Sequence, residues 1–368
     1  LHLQPGARLK RRQLILGLVA IVALAILIVW GRQRIHFDFH TFVAQLKMAD
    51  WRRLGIGVGC IYLGYVIRSL RWAWLLRHNK KVGPFSLLGT QVIGFTAVAL
   101  IGRVADPVRP YLVARKTGLP LSNQIAVYIV ERLFDAGSMA LIFSSSILLA
   151  AWFGQPGVMP HPELVKRAGY WGLLLTLAGA LFLVAVRLSG GMVAAFTERS
   201  LGLLSKKMGH AAGQKIRAFR TGLDTMRSLS DFSVVTAYSL VMWLLIALAY
   251  LETSLSFTAS PQLAAMTPAK AVLLLAVSGT ASIFQLPVLG WFTQIGLVAA
   301  AIAAFFGASP EASTACGAAL LLVTFLSVVP VGLIWAQIEH VSLRKVAGES
   351  EAAGEKLEQT QEAAELAE

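Results

Sequence analysis

The stretch "GRVADPVRPYLVARKTG", residues 102–118, decides how this chain is read. It follows a mostly apolar run at 86–101, and another long apolar run starts at 121. Arg103, Asp106, Arg109, Arg115 and Lys116 are charged, while Pro107 and Pro110 lack backbone donors and bar a regular helix through the turn. Gly102 opens the stretch, at the point where the direction of the chain has to change. Backbone groups freed at membrane depth are tolerable only beside protein or a water-filled cavity. A charged, interrupted segment between membrane-like runs therefore implies a polar cavity.

The remainder of the chain supplies the membrane context. Its 368 residues are 56% hydrophobic and 14% charged, with a mean hydropathy of +0.67; a soluble domain carries about 25% charged residues. Apolar windows fall at 13–30, 54–76, 86–101, 121–153, 171–188, 232–256, 270–289, 291–307 and 315–338. Many are near the roughly 17–25 residues that a helix needs to cross a bilayer. The expected class is all-α, a polytopic helical membrane protein of about 6–8 spans. Cys60 and Cys316 both lie in apolar windows, which argues against a disulfide framework or a thiolate metal site. No period of 20–50 residues recurs, so a solenoid is not expected.

The net charge of +14 has a membrane explanation. Basic residues gather at the ends of apolar segments, as the positive-inside rule describes, so anionic lipid surfaces are the expected partner and nucleic acid is not. "LKRRQLILGLVAIVALAILIVW" is followed by no small-residue cleavage site and reads as a retained first span entering from the cytoplasm. The expected location is a bacterial cytoplasmic (inner) membrane, multi-pass, with both termini cytoplasmic.

Three polar stretches organise the chain. Residues 31–53 alternate apolar and charged groups and suggest an interfacial amphipathic segment. Residues 187–231, with Arg187, Arg199, Lys206, Lys207, Lys215, Arg217, Arg220 and Arg227, read as a basic cytoplasmic linker between two halves of one 1–345 transmembrane domain. Residues 346–368 form an acidic tail without aromatics, expected to be disordered.

Parity then constrains the path. The run 121–153 would span about 50 Å as a helix at 1.5 Å per residue, ample for one crossing and short for two. Residues 86–118 should therefore make no net crossing, entering from the cytoplasm, turning at "GRVADPVR" and going back. By the same count 270–307 starts and ends outside, as a re-entrant hairpin or as two short spans joined at "QLPVLGWFTQ". Two Gly/Pro-interrupted segments approached from opposite faces point to a substrate site in inverted-repeat transporters.

The chemistry concentrates nearby. "IAVYIVERLFDAGSMALIF" places Glu131 and Asp135 four apart on one helical face, with Arg132 three from Asp135. Charges at membrane depth cost a few kcal/mol each unless paired or wetted, so these face the protein interior or a cavity. Two readings stand together. A carboxylate neutralises Arg103 or Arg109 and holds the turn, or the arginines form a cationic site for a phosphate-bearing headgroup, which suits the planar guanidinium fork. In the second interrupted segment Gln285, Thr293 and Gln294 are polar, and Pro287 and Gly290 break the helix; a kinked, packed helix is the alternative. Arg68 and Arg71, at the end of a span, either snorkel to headgroups or bind substrate. His36, Asp38 and His40 alternate in "HFDFH", a pattern read as coincidence rather than a metal clip. No Walker A, H-E-x-x-H or G-x-S-x-G sequence occurs, so no catalytic residue, metal or cofactor is assigned.

These residues resemble a known pattern. The chain is similar to the flippase-like family named for the transmembrane domain of lysylphosphatidylglycerol synthase, whose members carry segments close to P-G-R-x-G-E-x-x-R, then R-x-T-G, then E-R-x-x-D. Gly102, Arg103, Asp106 and Arg109 stand in the first, Arg115, Thr117 and Gly118 in the second, and Glu131, Arg132 and Asp135 in the third. Ile101, Ala105 and Asp106 depart from the usual Pro, Gly and Glu; a later Pro-Gly-Gly-x-Gly…Glu segment stands here as Pro287, Gly290 and Gln294, without the carboxylate that a proton- or ion-coupling role would use. The resemblance implies translocation of a phospholipid, an aminoacyl-lipid or a polyprenyl-phosphate carrier. It does not imply lipid aminoacylation, because the soluble aminoacyl-transferring domain is not in this sequence. Two further classes are a membrane-embedded enzyme using Asp106 as a base, and an accessory subunit that positions a separate lipid synthase or glycosyltransferase.

Overall fold

Helix starts in this chain are set by short polar caps ahead of apolar runs. In the computed structural model the described residues are 37–152, 162–202, 228–281, 289–343, 345–350 and 352. Asp38 caps α1 (Phe39–Lys47) through the His40 amide, and Asp50 caps α2 (Trp51–Leu76) through the Arg52 amide. The Thr41 hydroxyl and the His40 amide hold the Asp38 carboxyl below the usual carboxylate range. Its "HFDFH" position is thus that of a helix cap; His36 lies outside the described residues. Phe39, Met48 and Trp51 stand exposed around α1, as an interfacial segment requires.

The next elements are α3 (Pro84–Ile101), a single 3₁₀ turn at Arg103–Ala105, α4 (Val108–Thr117) and α5 (Leu121–Trp152). Residues 121–152 of the long apolar run are thus one continuous helix. Helix α6 (Pro162–Gly202) bends at Ser189 and carries the chain through Arg187 and Arg199. The first part of the expected 187–231 linker is therefore helical, because hydrogen bonding continues past the point where apolar character ends. Ser228 and Asp231 form a reciprocal capping box for α7 (Leu229–Leu255). The short α8 (Pro261–Ala264) leads to α9 (Pro268–Ala281), α10 (Leu289–Phe306), α11 (Pro310–Leu321), a π-helical turn at Leu322–Leu326, and α12 (Val328–Ile338). Residues 345–350 are again helical, with Val346 buried and Glu349 accepting from the Tyr111 hydroxyl at 3.0 Å. The expected first span at 13–30, the centre of the linker, Gln285, Pro287 and the tail from 353 lie outside the described residues.

Among the described residues there is no strand, so the chain is all-α. Trp51–Leu76, Pro84–Ile101, Ser230–Leu255 and Pro310–Ile338 are long and apolar enough to cross a membrane; Pro268–Thr280 and Gly290–Phe306 are shorter apolar helices. The chain is a multi-pass membrane protein.

Polar contacts identify the two ends of the bundle. At one, the basal end, Arg77 pairs with Asp231 and His78 Nε2 lies 3.1 Å from Asp231 Oδ2, joining the end of α2 to the start of α7. Lys80 donates to the Thr117 carbonyl at 2.7 Å and Lys116 pairs with Glu339 at 2.6 Å. The α3–α4 hairpin thus leaves the basal end and comes back to it. At the distal end the Asp50 amide donates to the Ser256 carbonyl at 2.8 Å, Arg53 pairs with Glu252 at 2.8 Å, and the Asp38 amide donates to Glu311 at 3.2 Å. Helices α9 and α10 follow Ser256 and precede Glu311 in the chain, and they pack on each other. Their pair sets out from the distal end and returns there. The two helix pairs touch: the indole N–H of Trp291, in the first turn of α10, donates to the carbonyl of Ala99, in the last turn of α3, at 3.0 Å.

Candidate functional site: a buried arginine–carboxylate cluster

Five helices bring their polar side chains to one buried point. Arg68 and Arg71 are three residues apart on α2, and Glu131 and Asp135 four apart on α5, so each pair shares a helical face. Arg71 donates from Nη1 to Asp135 Oδ1 at 2.7 Å and to Ser239 Oγ of α7 at 2.6 Å, and from Nη2 to Glu131 Oε1 at 2.6 Å. Arg109 of α4 donates from Nη2 to both Glu131 oxygens at 2.9 Å, and from Nε and Nη2 to Gln91 Oε1 of α3 at 3.2 and 2.8 Å. Arg132 adds ion pairs of 3.2 Å to Glu131 and 2.9 Å to Asp135. Arg68 stands further off, 3.5 Å from Glu131 and 3.7 Å from Asp135.

Burial is nearly complete. Arg71, Arg109 and Glu131 are each 1% exposed and Asp135 4%. Ions this far from water persist only when paired and hydrogen-bonded, since desolvation costs several kcal/mol per ion. Aromatic faces supply further attraction: the Arg109 guanidinium lies 4.4 Å from the Phe95 ring centre and 5.5 Å from that of Tyr128, and Arg68 lies 4.6 Å from Phe95. Among the described residues four guanidiniums face two carboxylates, so these groups carry two positive charges in excess. Arg71 Nε, Arg109 Nη1 and Arg132 Nε are buried with no hydrogen-bond partner in the protein. A buried site of this composition is suited to an acceptor-rich anion.

Backbone choices make the geometry possible. Gly102 has φ 90° and ψ −171°, a conformation confined to glycine, and it turns the chain out of α3. Pro107 caps α4 and Pro110 sits in its first turn, where the absent N–H costs nothing. On α3 the missing side chain of Gly94 leaves room for the Arg109 methylenes to lie across the helix; a Cβ there would overlap Arg109 Cγ.

The sequence-predicted residues divide into several groups. Arg109, Glu131 and Asp135 meet in the cluster, and Arg132 lies at its rim with 35% of its side chain exposed. Arg103 and Asp106 pair with each other across the turn at 3.7 Å, both partly exposed, and Arg115 is exposed in the last turn of α4. Gln294 is buried in α10 and donates to Ser278 Oγ at 2.9 Å, and the same Ser278 Oγ accepts from the Tyr250 hydroxyl at 2.6 Å. Gly290 is buried, and its carbonyl accepts from Thr293 at 3.0 Å. Arg71 does not snorkel, contrary to one reading of its place at the end of a span; it is buried at the centre of the cluster because α5 presents two carboxylates to it. Its three-residue spacing from Arg68, matching Glu131 and Asp135, was the available signal.

The family described as "Lysylphosphatidylglycerol synthase TM region" matches residues 14–334, most of the chain and all of the cluster. None of the curated proteins and none of the solved structures compared with the chain matches it. On that match, which takes in both hairpins and all four guanidiniums, the chain belongs to the family of the lysylphosphatidylglycerol synthase transmembrane region.

Proposed function

We propose that this protein is a flippase-like lipid transporter of a bacterial inner membrane, moving a lipid with an anionic or aminoacylated phosphate-bearing headgroup past the buried arginine cluster. In this reading the α3–α4 and α9–α10 hairpins are re-entrant, entering from the cytoplasmic and external faces respectively and meeting near the bilayer midplane. Alternating access is a rocking of one hairpin against the other around the polar cluster. Arg109, with Arg132 at the rim, attracts the phosphate, and Glu131 and Asp135 set the guanidinium geometry; Arg103 and Arg115, exposed on the turn and on α4, guide the headgroup in. Gln294 and its neighbours supply neutral polar contacts on the opposite hairpin. Membrane lipids are the partners, and no cofactor or metal enters the scheme.

The observation that carries this reading is a largely buried, net cationic cluster that receives Arg109 from a hairpin beginning and ending at the same end of the bundle. A purely structural ion network is most stable when its charges balance, whereas two surplus guanidinium charges favour an anionic visitor. The test is reconstitution into vesicles with headgroup-labelled phosphatidylglycerol in both leaflets and a membrane-impermeant quencher outside. Wild-type protein should expose the inner-leaflet label; Arg109→Gln should abolish this at near-normal expression. Translocation by Arg109→Gln at the wild-type rate would remove Arg109 from the path.

A further inference from the structure

Next to the cluster lies a cavity of about 150 Å³ bounded by α2, α3, α7, α9 and the π-helical turn. Its walls are mainly aromatic and aliphatic, with Tyr65, Phe95, Trp243 and Tyr250 among them, and among the described residues Arg68 is the one charged group in the lining. Arg68 is also the guanidinium that the carboxylates hold least closely, at 3.5 and 3.7 Å. Its Nη1 is buried and has no hydrogen-bond partner in the protein. The indole Nε1 of Trp243 is likewise buried and unpartnered. Two buried donors without a hydrogen-bond partner, one of them charged, thus belong to side chains that line one partly open cavity, and burying such donors without an acceptor is costly. By contrast the Tyr250 hydroxyl is satisfied by Ser278 at 2.6 Å.

We infer that this cavity is a second oxyanion subsite, in which the Arg68 guanidinium and the Trp243 indole N–H hold a phosphate-type group. The required ligand atom is an acceptor with negative charge, because both open positions are donors and one is cationic. The space of about 150 Å³ admits a phosphate and its nearest carbons, and the cavity's open side leaves room for acyl chains to lie outside it. The Phe95 ring centre lies 4.6 Å from the Arg68 guanidinium carbon and attracts its charge. A π-helical turn, a frequent mark of functional sites, contributes Thr324 and Phe325 to the lining. The subsite also lies against the second hairpin through Ser278, so within the lipid-transport reading, on which its role rests, it is the station a headgroup occupies between the two hairpins.

The test is direct binding to the purified full chain in a neutral detergent, with three probes: inorganic phosphate, short-chain phosphatidylglycerol, and the matching diacylglycerol without phosphate. Binding is read by titration calorimetry and by the shift in unfolding temperature. At least one phosphate-bearing probe should bind and the diacylglycerol should not. Arg68→Gln should weaken binding about tenfold or more, Arg68→Lys should recover part of it, and Trp243→Phe should weaken it several-fold while keeping the wall filled. Response to both phosphate probes assigns a site for the free group, and response to the lipid alone assigns a lipid headgroup; either supports the subsite. It is overturned if neither phosphate probe binds the folded wild type, or if the folded Arg68→Gln protein binds with unchanged affinity. Should Arg68→Gln fail to fold, unchanged affinity in Trp243→Phe overturns it instead. A wild type that binds phosphate probes yet moves no lipid in vesicles would sink the transport reading and leave the subsite standing.

Discussion

Replacing Glu131 by Gln removes one of the two carboxylates that four guanidiniums share, and the surplus of positive charge in the cluster rises from two to three. Arg71 at 2.6 Å, Arg109 at 2.9 Å and Arg132 at 3.2 Å all lose their common negative charge. Removing one side of a buried ion network costs about 3–5 kcal/mol, because the remaining charges stay desolvated and uncompensated. Arg109→Gln has the opposite sign of charge change. It lowers the surplus to one, and Glu131 retains Arg71 and Arg132, so the loss is that of charge-assisted hydrogen bonds, about 1.5–3 kcal/mol. Pair counting and the charge surplus both make Glu131→Gln the worse change, by roughly 2 kcal/mol, and the double variant tells the two apart. The double variant restores a surplus of two and should be more stable than Glu131→Gln alone, a coupling that a double-mutant cycle isolates. Unfolding of the purified variants in detergent, followed by circular dichroism, measures all three. Equal destabilisation by the two single changes, or a double variant less stable than Glu131→Gln, would refute the charge-surplus reasoning.

Other consequences follow from single contacts. Gly102→Ala forces a side chain into a glycine-only backbone conformation and should cost about 1–3 kcal/mol, visible as a lowered unfolding temperature. Gly94→Ala pushes a Cβ into the Arg109 side chain and should cost about 1–3 kcal/mol by overpacking; added to Arg109→Ala, which clears the overlap, the same change should cost less, and equal costs in both backgrounds would contradict the close approach. Trp291→Phe removes the 3.0 Å hydrogen bond between the two hairpins and should lower stability by about 1 kcal/mol, with a larger fractional effect on lipid translocation.

Much of this architecture was legible from local signals. Apolar windows located the long helices, and Gly102 with its two prolines marked the first interruption, since these residues act through their own backbone whatever surrounds them. The four-residue spacing of Glu131 and Asp135 announced a charged face for the same reason. Arg68 and Arg71 were harder to place. A basic residue near the end of a span has two low-cost fates, reaching out to headgroups or pairing inward, and the choice depends on which face α5 turns toward α2. Ser239, the third acceptor of Arg71, was equally hidden, because one of four serines in a 27-residue helix carries no signal until its neighbours are known. The continuation of α6 to Gly202 was missed because hydropathy reports apolar character, whereas a helix ends where its hydrogen bonding does. The Trp291–Ala99 contact joins residues 192 apart in sequence and lies beyond any local pattern.

Whether residues 84–117 enter and leave on one face of the membrane can be measured by placing single cysteines at the exposed positions Lys81 and Arg115, one on each side of the hairpin. The native Cys60 and Cys316 are buried and give little background. In oriented membrane vesicles, a membrane-impermeant maleimide should label both introduced cysteines from the cytoplasmic side and neither from the outside. Labelling of position 115 from the outside, with position 81 labelled only from within, would mean that the segment crosses the bilayer, and the sheltered arginine site built on its return would be lost.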